Sequence, residues 1–170
     1  MTRILALMKY GPRAASARQR LLQYAPALEE AGFSVEVSAL FDDAHIERLA
    51  RGRRSPLPAK LGFYLRRLKA VLGARRHDLI WVQYEAFPYL PAAFERLIRL
   101  SGRPIVLDYD DAIFHMYDRH RRPLVRRLLG RKLAPLLRAA SVCLCGNAYL
   151  RDYAARYCPN SLIVPTVVEV

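Results

Sequence analysis

"IVLDYDDAIFH", residues 105–115, runs from an apolar, β-branched stretch straight into three aspartates, Asp108, Asp110 and Asp111, with His115 close behind. Its first half reads as a strand buried on both faces, because apolar residues follow one another without polar alternation. Its second half is a polar loop in which packed carboxylates repel one another, so a chemical reason for the cluster is needed. Five more short apolar runs surround this one: "RILALM" (3–8), "FSVEVSAL" (33–40), "DLIWVQ" (78–83), "SVCLC" (141–145) and "SLIVP" (161–165). Segments of helical period lie between them, at about 16–31, 42–51, 57–74, 89–101, 122–139 and 147–157. Alternating strands and helices predict βαβ units and an α/β fold, with a mainly parallel sheet covered on both faces. Gly32 and Gly102 stand where C-terminal helix glycines belong.

The totals agree with one folded domain: 170 residues, 53% hydrophobic and 10% aromatic, enough to bury a core. The charge is +13, from 28 Lys and Arg against 15 Asp and Glu, and 24 of the 28 are arginine. Such a surface attracts nucleic acid, anionic lipid or phosphate-bearing substrates. No stretch approaches the roughly 18 apolar residues that span a bilayer, and the N-terminus enters a strand without a cleavage site, so a cytoplasmic protein is expected. Cys143 and Cys145 share one face of a strand and, with Cys158, read as buried thiols, no partner having zinc-ligand spacing.

In an open parallel sheet, ligands bind beyond the carboxyl ends of the strands. The loop after the first strand holds Gly11, Arg13, Ser16, Arg18 and Arg20 near a helix start, where backbone N–H groups and arginines suit a diphosphate. The same residues also fit a plain reading in which Ser16 caps the helix and the arginines are solvated. The aspartates are open to three uses: a structural one in which Asp108 satisfies loop N–H groups and Asp111 begins a turn or caps a short helix, divalent metal binding by the cluster, or acceptance by one of them of hydrogen bonds from a polyhydroxylated ligand. Asn147, after Gly146, suits an N-cap. Tyr84, Glu85 and Tyr89 either line a sugar pocket or close the sheet edge. His115 is a structural histidine or a ligand contact.

Two basic segments remain. In "PAKLGFYLRRLKAVLGARRH", Leu61, Leu65, Leu68 and Leu72 form one stripe, with Lys60, Arg66, Arg67, Lys69, Arg75 and Arg76 around it. In "RRPLVRRLLGRKLAPLLRAA", leucines alternate with Arg126, Arg127, Arg131 and Lys132. Each is either a basic amphipathic helix lying on anionic lipid or a core-facing leucine stripe with a solvated basic side.

Together, "LALMKYGPRAASARQRLLQYAPALEEAGFSVEVSAL", "DLIWVQYEAFPYLP", "RPIVLDYDDAIFH" and "CGNAYLRDYAARYCPN…IVPTVVEV" resemble the N-terminal half of bacterial family-four glycosyltransferases of the GT-B fold. The resemblance implies a Rossmann-like, doubly wound domain on the acceptor side of a retaining enzyme that moves a sugar from a nucleotide-diphosphate sugar to an envelope or lipid-linked glycan, with no metal or other cofactor. It implies that the Gly11 loop approaches the donor phosphates, and that Asp110, with Asp111 beside it, lies near the transferred sugar. Asn147 would border the cleft. Relatives continue into a donor domain with a Glu-x7-Glu motif, whereas this chain stops at Val170. Expected partners are therefore that donor domain, the glycan or lipid-linked acceptor, the inner membrane face, and a second copy pairing through the cleft. Alone, the chain is expected to bind nucleotide sugar poorly. The rival expectation is a non-catalytic basic module gripping nucleic acid or an acidic partner. A receiver-like phospho-acceptor domain fits poorly, because "MKYGPR" after the first strand is basic.

Overall fold

The computed structural model describes residues 1–53 and 55–167. The end of the C-terminal segment that carried the resemblance, residues 168–170, lies outside them. Six strands form one sheet: β1 (Thr2–Tyr10), β2 (Phe33–Phe41), β3 (Leu79–Gln83), β4 (Ile105–Tyr109), β5 (Val142–Cys145) and β6 (Ser161–Ile163). Their order is β2-β1-β3-β4-β5-β6 and every pairing is parallel, a Rossmann-like doubly wound arrangement with its switch between β1 and β3. All five residues of β4 are buried, as its unbroken apolar run requires of a central strand.

Helices divide unequally between the two faces. α1 (Ala15–Arg20) and α2 (Ala25–Glu30) pack on the side of Ala6 and Met8, where Ala17 and Leu21 complete a small core. The larger core lies on the other side. There α4 (Leu57–Leu72), α5 (Ala92–Arg99), α8 (Ala134–Ala139) and α9 (Ala148–Ala154) bury Val71, Ile98, Leu136, Leu137 and Leu150 against Leu7, Val82, Leu107 and Cys143. Register aligns these four strand residues in one row, Leu7 with Val82, Val82 with Leu107 and Leu107 with Cys143. All three cysteines are free and buried, Cys143 and Cys145 with sulfurs 3.7 Å apart on one strand face.

Several elements depart from the periodicity. The expected helix at 16–31 is broken by a 3-10 turn at Leu22–Tyr24, because Pro26 starts a new helix and cannot continue the old one. The segment 122–139 divides into α7 (Pro123–Leu129) and α8 around Gly130, where an added Cβ would run into the carbonyl oxygen of Arg126. α3 (Asp43–Ala50), capped by Asp42, and the one-turn α6 (His115–Asp118) complete the layers. Gly32 and Gly102 adopt φ of 85° and 70°, the left-handed conformation that ends a helix at low cost for glycine.

The leucine stripe of α4 faces outward, whereas in the second basic segment Leu129, Leu133, Leu136 and Leu137 are buried as a core-facing stripe and only Leu124 and Leu128 are exposed. Leu57, Leu61, Leu65 and Leu72 of α4 are 79%, 60%, 57% and 65% exposed, and only Leu68 packs against the core. α4 turns Phe63, Arg67 and Val71 inward instead. Arg67 is thus no part of the basic face. It is 1% exposed, gives Nη2 to the Met8 carbonyl, and leaves Nε and Nη1 without partners among the described residues. Burial lowers its pKa to about 10, against an opposing pull from Glu95. Lys132, counted with the second basic segment, is also 1% exposed.

Candidate functional site

At the carboxyl end of the sheet the loops after β1, β3, β4 and β5 converge. The three aspartates do three different things there. Asp108 is the penultimate residue of β4, and its carboxylate, 1% exposed, accepts both Nε and Nη2 of Arg20. Burial pushes this carboxyl up, offset in part by Arg20. Asp110 is half-buried and accepts the Thr166 hydroxyl at 2.6 Å. Asp111 is exposed, accepts the Tyr84 hydroxyl at 3.1 Å, and opens a turn through its carbonyl to the N–H of Ile113 at 2.8 Å. Two carboxylates therefore remain on the crevice rim while the third is spent inside.

Gly146 has a steric reason to be glycine. A Cβ built on it would lie 3.0 Å from Oδ1 of Asp110 and 3.7 Å from the Tyr109 carbonyl oxygen. The expected result of Gly146→Ala is displacement of the Asp110 carboxylate and a loss of about 1–3 kcal/mol, read as a thermal midpoint a few degrees lower. An unchanged midpoint would mean that the carboxylate yields freely. Asn147 caps α9, its side chain accepting the N–H of Leu150 at 3.0 Å. Its cap also points the first turn of α9 at the same rim.

The loop after β1 is held by its own arginines. Arg13 reaches Glu47 at 2.5 Å and Asp43 at 3.4 Å on α3. Arg18 donates to the carbonyls of Pro12 and Arg13 at 3.0 and 2.8 Å, closing the loop. Arg20 is turned into the sheet by Asp108. Gly11 is buried, and Ser16 makes no cap, because Ala14 occupies that position without a side-chain bond.

Tyr84 and Tyr89 both carry positive φ, 63° and 59°, which costs an aromatic residue roughly 1–2 kcal/mol each. Both stand in the loop after β3, Tyr84 beside Asp111 and Tyr89 with its N–H on the Tyr117 hydroxyl at 3.0 Å. Burial raises the Tyr84 phenol well above its ordinary value, with Asp111 and Asp110 adding to it, so the hydroxyl keeps its proton and donates. Glu85 lies inside, 2% exposed, where it accepts the Tyr117 hydroxyl at 2.8 Å and the Lys132 ammonium at 2.5 Å. It faces the core rather than the crevice.

His115 stands between Asp118, at 2.8 Å from Nδ1, and Tyr149, at 2.5 Å from Nε2. Both ring nitrogens are thus within hydrogen-bond reach of a side-chain oxygen. Asp118 lies on the short α6, which the periodicity did not predict, and Tyr149 and Thr166 come from distant segments and gave no signal in the sequence. Among the described residues, no three His, Cys, Asp or Glu side chains are grouped to hold a metal ion, and no helix is long and apolar enough to cross a membrane. No family model and no curated protein matches this chain.

Proposed function

We propose that this chain is the acceptor-side domain of a retaining glycosyltransferase that moves a sugar from a nucleotide-diphosphate sugar to an envelope or lipid-linked glycan. The observation that carries this reading is the pair of rim carboxylates, Asp110 and Asp111, set on rigid strand ends of a doubly wound sheet. Ionised carboxylates accept hydrogen bonds and donate none, which suits sugar hydroxyls. Asp110, kept in position by Gly146 and Thr166, orients the transferred sugar, and Asp111 with Tyr84 supports it. The Gly11 loop and Arg18, which is exposed, stabilise the leaving diphosphate. Asn147 and His115 border the acceptor side.

The exposed leucines of α4, with Lys60, Arg66, Lys69, Arg75 and Arg76 near them, support contact with an anionic membrane surface, where apolar tips enter the interface and the cations meet headgroups. That placement suits a lipid-linked acceptor.

The test is a titration of the ¹⁵N-labelled chain with a panel of short oligosaccharides, UDP-glucose and GDP-mannose, followed by amide shifts. Sugars should move the amides of Gly11, Asp110, Asp111, Gly146 and Asn147, and Asp110→Ala should weaken that binding about ten- to a hundredfold, the worth of a hydrogen bond to a charged group. If no sugar moves these amides while duplex DNA does, the domain is a nucleic-acid module and the reading falls.

A further inference from the structure

From residue 119 to residue 151 the chain carries nine lysines and arginines and no Asp or Glu. α7 and α8 fold much of this segment beside α5, and a groove of about 790 Å³ opens there, lined by Arg96, Arg126, Arg127, Arg131 and Arg138 together with Tyr157. An adjoining hollow of about 560 Å³ shares Arg96 and Arg138 and adds Arg99. Among the described residues none of these six arginines is paired with a carboxylate. Arg126 donates to the His120 carbonyl at 2.7 Å, and Arg138 lies 5.1 Å over the Tyr157 ring. The one acid on α5 near the groove, Glu95, is 1% exposed and turned inward to Lys132 and the N–H groups of Ala86 and Phe87. Lys132 lines the groove but is already neutralised from below by Glu85 and Glu95.

Guanidinium groups lining a concavity add their potentials and repel one another, so the groove is stabilised by whatever anion enters it. Their planar forks match phosphate oxygens, and several forks along one groove match several phosphates. Leu100 and Leu128, 64% and 66% exposed, line the same hollow and groove, leaving an apolar margin beside the charge.

We propose that this groove is a phosphate-binding site, separate from the carboxylate rim at the strand ends, that takes two or more phosphate groups together, from an oligophosphate or from the headgroups of anionic lipid. It does not depend on the glycosyltransferase reading, since it uses none of the same side chains.

The experiment compares the wild-type chain, Arg127→Gln/Arg131→Gln, and a charge-matched control, Arg48→Gln on α3 with Arg51→Gln at its C-cap. Each is titrated calorimetrically with tripolyphosphate and floated with phosphatidylglycerol or phosphatidylcholine vesicles at 150 mM salt, after circular dichroism has established that it is folded. Loss of two charge-assisted contacts should weaken binding about a hundredfold in the groove variant and less than about threefold in the control. Tripolyphosphate binding lost in this way supports the site with a soluble ligand. Phosphatidylglycerol binding lost in this way, without tripolyphosphate binding, supports it with a lipid source. Should the groove variant fail to fold, Arg96→Gln carries the same comparison. Equal losses in groove and control variants, vesicle binding that ignores headgroup charge, or no binding of either ligand overturns the proposal.

Discussion

Replacing Lys132 by methionine is expected to lower stability by about 3–5 kcal/mol at pH 7.5, the cost of stranding buried charge. Glu85 and Glu95 are 2% and 1% exposed, and Lys132 is the cation between them, 2.5 Å from Glu85 and 3.3 Å from Glu95, with its remaining proton on the Phe87 carbonyl at 2.7 Å. Methionine fills the volume and leaves two carboxylates facing each other without a countercharge. The pH dependence follows from Glu95. Burial raises its carboxyl pKa, opposed by Lys132 and by the N–H groups of Phe87 and Ala86. A carboxyl raised on folding binds its proton more tightly in the native state, so its contribution is present below the unfolded value, roughly 4.3, and is lost as pH rises through the folded one. Removing Lys132 raises the folded value further. The deficit of the variant should therefore be smaller at pH 5.0 than at pH 7.5, measured as urea midpoints against wild type. A deficit independent of pH would mean that both carboxylates find other partners and that the network is not coupled through Lys132.

Lys132 also shows where sequence reading stops. Runs such as "IVLD" and "VCLC" named the strands and their parallel pairing, because continuous apolar residues in a short segment leave few alternatives to a sheet covered on both faces. The strand ends, and hence Asp110, Asp111 and Asn147, followed from the same reading. Charge was harder. Arg20, Arg67 and Lys132 look in the sequence like the solvated cations around them, and only tertiary packing reveals that each is buried. Arg20 finds Asp108 across 88 residues and Lys132 finds Glu85 across 47, separations at which no local periodicity operates. The leucine stripes left two readings open and the structure divides them: the second segment buries Leu133, Leu136 and Leu137, but α4 turns Phe63 and Val71 inward and leaves Leu61 and Leu65 outside. Periodicity states that a face exists; it does not state which of two apolar faces meets the sheet.

Arg20→Ala should be comparably severe, about 3–5 kcal/mol, since the Asp108 carboxylate would remain buried without its partner. A domain of this kind holds about 5–15 kcal/mol in all, so the variant sits near the edge of folding at 37 °C. Burial depresses the Arg20 pKa, but the hydrogen bonds and charge of Asp108 outweigh it and the net shift is upward. Lysine is no substitute: Nε and Nη2 bind Asp108 while Nη1 reaches the Val164 carbonyl at 2.7 Å, and a single ammonium cannot span both. This second bond gives the pair a role beyond stability. It ties α1 to the segment following β6, and that segment delivers Thr166 to Asp110. In Arg20→Lys, amide exchange at Val164 and Thr166 should accelerate more than exchange in β4, whose ladder bonds remain, and the Asp110 amide should shift with them. Exchange that rises evenly through the sheet would instead show that Arg20 supports the fold alone and does not hold the Asp110 rim in place.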